Sequence, residues 1–487
     1  MADAQNPFNF DPRIAVAKVP PEPDSAREPY PEKLIRGSID RLGSMLGWGR
    51  SEGNPFENVI PKGARVVVKP NMVLHKNEGP GGILPLVTHQ SVIQAVVEGA
   101  LKTGTAEVTV ADAPIQGCDF GALLQATGLD VWSAEIQKRD SRFKGIRDLR
   151  RTVCLLKHGV RLAEEDVQPL ENFILFDLES ESLLEHITSG ENPFRVTWYD
   201  PRLMDQTHRR GKHQYLVARE IIDADIVINL PKLKTHKKAG ITCALKNLIG
   251  INGNKEYLPH HRVGGSETGG DCYPGKSSVK RSLEYVADQQ NMTSSPIAGQ
   301  FWHALTFGLV RVSRLSGDRL GYEGSWSGND TIWRTCLDLN RILLYGRRDG
   351  TLGDQPQRRT LHIVDAVIAG QGEGPLAPQA LPMNLLLAAQ NAAALDWVAA
   401  QLLGYDPTRI PISREALKQF RWPIANFSRR EINLVGDFDE GVADDVLQLG
   451  LRANSVIYPF GWRDAAARQP SISENGNYAS PELSHEG

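Results

Sequence analysis

The feature that most restricts this chain is a recurring pattern of short, β-branched apolar runs separated by segments of helical spacing. "ARVVVKPN" reads as a strand ending at Lys69, and "AEVTVADAP" as a second ending near Asp112. Between them, "THQSVIQAVVEGALKTG" puts Val92, Ile93, Val96, Val97 and Ala100 on one helical face and stops at Gly104. "VAREIIDADIVINLPK" is a helix running into a third strand, Ile226–Leu230. "TLHIVDAVIAG" is a fourth, ending near Asp365, and "NLLLAAQ" a fifth, with a helix in "NAAALDWVAAQLLG" after it. Short apolar strands alternating with helices predict an α/β fold with a mostly parallel central sheet covered by helices. The less regular stretches 132–207 and 258–357 read as long insertions forming a lid or second lobe within a domain of residues 31–465. Residues 1–30 read as an extended arm with a short strand at Arg13–Lys18, and residues 466–487 as a disordered tail.

With 487 residues, 41% of them hydrophobic, the chain can bury a large core. Its net charge of -3 and sequence pI of about 6.5 speak against a general nucleic-acid partner, which calls for a basic excess. The five cysteines form no CxxC pair, so no iron–sulfur cluster is expected, and a sparse, odd count fits a reducing compartment. The most apolar long segment, Leu381 to Gly404, contains Asn384, Gln390, Asn391, Asp396 and Gln401 and is too polar for a membrane span. No secretory leader is legible. The expectation is a cytoplasmic protein.

In an open parallel sheet, ligands bind beyond the carboxyl ends of the strands. The polar residues there are Lys69 and Asn71 of "KPN", Asp112 of "ADAP", Lys232, Lys234 and His236 of "PKLKTH", and Asp365 of "VDA". A lysine after a strand is most often solvated, and an aspartate there is often only a helix cap. Several cations converging on one rim need an anion, because a desolvated ammonium needs a partner. Pro70 and Pro231 fix the loop geometry beside them. Lys246 and Asn247 follow in "GITCALKNLIG", which reads as a helix packed on the sheet, and "GINGN" supplies turn amides that can face an anion. His260 and His261 are adjacent, so on a regular element they face apart. "GQGEGPLAP" reads as a glycine-rich loop directly after the Asp365 strand, with Glu373 at its centre. The phosphate-loop, dinucleotide, GxSxG and HExxH patterns are all missing.

As a set, "VVVKPN", "INLPKLKTHKKAGITCALKNLIGINGNK", "LPHHRVGG", "GGDCYP", "GNDTIWRTCLDLNRILLY" and "HIVDAVIAGQGEGPL" resemble the DUF362 family, over roughly Ala64 to Pro411. The resemblance implies an α/β fold and functional roles for Lys69, Asn71, Lys232, Lys234, His236, Lys246 and Asn247, which fall on the family's motifs. It implies no settled reaction. Some members carry a ferredoxin-like segment with two four-cysteine clusters, and this sequence has no such cysteines. The expected function is an enzyme acting on a small anionic substrate, a carboxylate or phosphate. His236, Lys234 and Asp112 would be catalytic. Lys69, Asn71, Lys232, Lys246, Asn247, His260 and His261 would bind substrate. Asp365 and Glu373 would hold a possible divalent metal. The alternative is a non-catalytic binding protein for an anionic metabolite or cofactor.

Overall fold

The computed structural model describes residues 8–20, 29–50, 53–157, 160–315, 320–436, 438–442, 446 and 455–466. Much of the expected arm (1–7 and 21–28) and the expected tail (467–487) lie outside the described residues. Eleven strands among the described residues share one sheet. They are β1 (Arg13–Lys18), β2 (Arg65–Pro70), β3 (Glu107–Asp112), β4 (Phe143–Asp148), β5 (Ile226–Leu230), β6 (Lys232–His236), β7 (Gly240–Thr242), β8 (Arg359–Glu373), β9 (Ala377–Ala389), β10 (Asn433–Gly436) and β11 (Phe438–Val442). The order is β11-β10-β1-β9-β8-β5-β2-β3-β4, with β6 paired to β7 and β8. The run β8-β5-β2-β3-β4 is parallel throughout, so the four strands read from sequence lie side by side.

The strands are continuously apolar because both faces are covered. Val66 and Val68 pack with Ile35, Ile39, Val92 and Val96 of helices α1 (Glu32–Met45) and α2 (Gln90–Lys102). Val67, pointing the other way, packs with Phe176, Tyr215 and Val217 of a small three-stranded sheet. A short helix α3 (Ala244–Asn247) follows β7. A hairpin of α4 (Ser278–Met292) and α5 (Pro296–Leu315) precedes α6 (Ile332–Tyr345), and α7 (Ala392–Leu402) follows β9. The apolar segment at 381–404 is thus part of β9 followed by α7, and no helix among the described residues is long and apolar enough to cross a membrane.

Three expectations need correction. "GQGEGPLAP" is not a loop: β8 runs through it to Glu373 and returns as β9, and "NLLLAAQ" is the end of that returning, antiparallel strand. Asp365 therefore lies in mid-strand. "PKLKTH" is a strand as well, since β6 pairs with the projecting half of β8 (Lys232 opposite Asp365, Lys234 opposite Gly370). "GITCALKNLIG" is not one helix but β7, α3 and a 3₁₀ turn, Leu248–Ile251. The supposed insertions also feed the central layers. Residues 143–148 form edge strand β4, and in α6 every residue except Arg334 is buried.

Candidate functional site

The parallel register brings the carboxyl ends of β2, β3 and β5 to one edge, with Lys69 opposite Asn229. Lys69 and Asp112 are buried and form an ion pair there, Nζ to Oδ1 at 2.7 Å. Asp112 is otherwise occupied: Oδ1 also accepts the Ala113 N–H (2.9 Å), and Oδ2 accepts the Met72 N–H (2.7 Å). It works as a fixed counterion that ties residues 69–72 to the end of β3, in place of the catalytic role expected of it. Gly250 closes over this pair. A Cβ at that position would sit 1.9 Å from Asp112 Oδ1 and 2.7 Å from Lys69 Nζ, so only glycine lets the backbone pass.

Lys232 is tied off in the same way. Its Nζ donates to Asp365 Oδ2 at 2.6 Å, to the Tyr30 hydroxyl at 2.8 Å and to the Ile368 carbonyl at 3.1 Å. Asp365 also accepts from Tyr30 (2.8 Å) and from the His89 backbone (2.9 Å), and Tyr30 stacks on His89 at 3.8 Å. Burial holds His89 down at about 4, so it is neutral. Asp365 is thus saturated. Glu373 stands eight residues further along the same strand, roughly 26 Å away. It is exposed, and its Oε1 accepts the Phe460 N–H at 2.8 Å. The two carboxylates expected to share a metal do not meet. Among the described residues no group of three or more His, Cys, Asp or Glu side chains is arranged to hold one.

The amides form a chain. Asn71 donates to Asn247 Oδ1 (2.9 Å), Asn247 to Asn229 Oδ1 (2.7 Å), and Asn229 to the Ala244 carbonyl (2.9 Å). This chain fixes α3 over the strand ends and holds Lys246 in place. Asn71 Oδ1 is buried without a hydrogen-bond partner.

Four lysines differ from Lys69 and Lys232 in having no carboxylate at hydrogen-bond distance. Lys234 is fully buried and donates only to the Leu86 carbonyl (2.6 Å). Lys238, 7% exposed, donates to Thr197 Oγ1 (3.1 Å). Lys255, 5% exposed, donates to the carbonyls of Ile249 and Asn252 (both 3.2 Å). The half-buried Lys246 has no hydrogen-bond partner among the described residues. Desolvation pushes all four ammonium groups down, Lys238 to about 8 and Lys255 to about 7. Lys246 feels Lys69 and acts in turn on Lys234, His236, Lys238, His260 and Lys255, so these groups form one electrostatic neighbourhood.

His236 Nδ1 accepts the backbone N–H groups of Lys238 (3.0 Å) and Ala239 (3.1 Å), which leaves its proton on Nε2. Burial and then Lys246, Lys234 and Lys238 hold it neutral, far below the usual imidazole range. It is therefore a neutral N–H donor. His260 bonds the Leu258 carbonyl through Nδ1 (2.6 Å) and lies near Lys246. His261 faces elsewhere, into a cavity lined also by Arg195, Thr197, Glu284, Tyr322 and Glu323. Thr197 links that cavity to Lys238. Lys237, a neighbour of the buried lysines, is half-buried and 3.7 Å from Glu323.

Sequence reasoning missed Lys238, Lys255, Tyr30, His89 and Glu323. Lys238 and Lys255 lay within the basic stretch already singled out. Nothing local marks Tyr30, which meets Asp365 from 335 residues away.

Residues 190–401 match the family model described as Domain of unknown function (DUF362). The match is shorter than the expected span and leaves Lys69, Asn71 and Asp112 on its N-terminal side. Over 195 residues the chain is 25% identical to the Thylakoid-associated protein sll1697 of Synechocystis sp.; the match covers 40% of this chain and spans 37% of that relative's length. A crystal structure of a Thermotoga maritima protein is similar at a TM-score of 0.31 and 11% identity, over 73% of this chain and 55% of that one.

Proposed function

We propose that this protein is an enzyme that binds a small carboxylate or phosphate at the carboxyl edge of its sheet and moves a proton on it. The observation that carries the reading is the desolvated charge of Lys234, Lys238, Lys246 and Lys255, four lysines gathered around α3 with no carboxylate at hydrogen-bond distance. Holding ammonium groups out of water without a counterion is unfavourable. A bound anion restores the balance and raises the proton affinity of each lysine. Lys246 and Lys234 supply the anion contacts, with the neutral His236 Nε2–H as a further donor to developing negative charge. Lys238 and Lys255, near neutrality, can exist in both protonation states at physiological pH, which suits proton transfer next to a carboxylate. A metal is not needed by this reading. The five cysteines are buried and form no disulfide among the described residues, which fits a cytoplasmic setting.

The test is a thermal-shift panel of small carboxylates and phosphates on wild type, Lys234→Ala, Lys246→Met and Lys237→Ala. It is followed by NMR of any hit in deuterium oxide. The expected result is stabilisation of wild type and Lys237→Ala, its loss in the other two variants while they remain folded, and enzyme-dependent deuterium incorporation. Binding without exchange or turnover makes the protein a carrier or sensor of that anion. Stabilisation that survives in both Lys234→Ala and Lys246→Met refutes the site.

A further inference from the structure

Helix α5 is amphipathic in an unusual sense: its inner face is polar to mixed and its outer face is apolar. At 3.6 residues per turn, Gly299, Trp302, Thr306, Leu309, Val310 and Ser313 share one side. These residues are buried or half-buried, and Thr306 together with His303 lines the cavity that holds His261. On the opposite side lie Ile297, Phe301, Ala304, Gly308, Val312 and Leu315, a stripe running the length of the helix. Relative exposure is 82% at Ile297, 61% at Phe301, 52% at Val312 and 89% at Leu315, with Phe307 (56%) and Leu305 (40%) on the flanks. Scattered surface hydrophobics need no explanation, but a continuous stripe of bulky ones does.

The charge carried by the helical hairpin itself selects the occupant. The exposed charged residues of the α4–α5 hairpin are Arg281, Arg311 and Arg314. Its two acidic residues are engaged inward: Glu284 is buried and accepts the Gly264 N–H, and Asp288 pairs with Arg195. Arg311 lies over the Phe307 ring at 4.6 Å, at the edge of the apolar stripe. A twofold pairing of two such hairpins would offer these arginines no exposed carboxylate on the partner hairpin. An anionic lipid surface accepts both components, the apolar stripe in the acyl boundary and the guanidinium groups among phosphates. We propose that the outward face of α5 lies in the plane of an anionic membrane surface, docking the protein there without crossing it.

The test is co-sedimentation of the full chain with vesicles of phosphatidylcholine, with and without phosphatidylglycerol, at two salt concentrations. The chain should pellet with the anionic vesicles, less at high salt, and far less with the neutral ones. Phe301→Ser/Leu315→Ser, on side chains already in water, should weaken partitioning at least about a hundredfold. Arg311→Ala/Arg314→Ala should weaken it about thirtyfold. Circular dichroism checks that both variants keep the fold. No pelleting, equal pelleting with both vesicle types, or indifference to both variants overturns the proposal. A dimer in sedimentation velocity that Phe301→Ser/Leu315→Ser dissolves, without vesicle binding, assigns the face to a second copy instead and equally overturns it.

Discussion

Lys255 offers a quantitative check on the cation cluster. Its ammonium is nearly inaccessible and contacts only two backbone carbonyls, and desolvation brings it from 10.5 to about 7. Below pH 7 both folded and unfolded chains carry this proton, and above pH 10.5 neither does. Between these limits the unfolded chain holds one more proton than the folded one, so stability must rise with pH. The slope is about 1.4 kcal/mol per pH unit where the difference is a full proton. From pH 7, where the folded group is half-protonated, to pH 9, the contribution is about 2 kcal/mol. Lys255→Met keeps the aliphatic stem and removes the titration. The carbonyls of Ile249 and Asn252 lose a donor in the variant, but that cost is independent of pH and moves only the intercept. Urea denaturation of both proteins at pH 7, 8 and 9 and constant ionic strength reads the effect. The stability of wild type minus that of Lys255→Met should grow by about 2 kcal/mol across this range. Ionisations common to both cancel in the difference. A saturating anion at the site should flatten the difference, because it raises the folded-state proton affinity. Parallel pH profiles without anion would refute the claim that burial holds the Lys255 ammonium well below its ordinary range.

Lys69→Met leaves Asp112 buried with only its two backbone donors and should cost about 3–5 kcal/mol in urea denaturation, much of it recovered in Lys69→Met/Asp112→Leu. Lys237→Ala, at a half-buried and loosely paired site, should change stability by no more than about 0.5 kcal/mol in the same assay. Gly250→Ala drives a methyl group into Asp112 and Lys69 and should destabilise by about 1–3 kcal/mol or more. Gly37→Ala, in α1 with open space around it, should instead stabilise by up to about 1 kcal/mol.

The strand–helix alternation, the parallel core strands and the location of the basic stretch were legible in the linear chain. They depend on local periodicity and on polar residues following apolar runs, which the sequence displays directly. The glycines of "GQGEG" suggested a loop because glycine lacks strand propensity. In the fold, a Cβ at Gly370 would lie 2.6 Å from Lys234 Cβ, so that glycine admits a close neighbour into the sheet rather than breaking it. Which lysines are neutralised was decided by tertiary structure alone. Lys69 and Lys232 find Asp112 and Asp365 at sequence separations of 43 and 133. Lys234, Lys238, Lys246 and Lys255, drawn from the same basic stretch as Lys232, have no carboxylate at hydrogen-bond distance. Side-chain charge is a property of the sequence, but desolvation and the distance to a counterion exist only once remote strands have been brought into register.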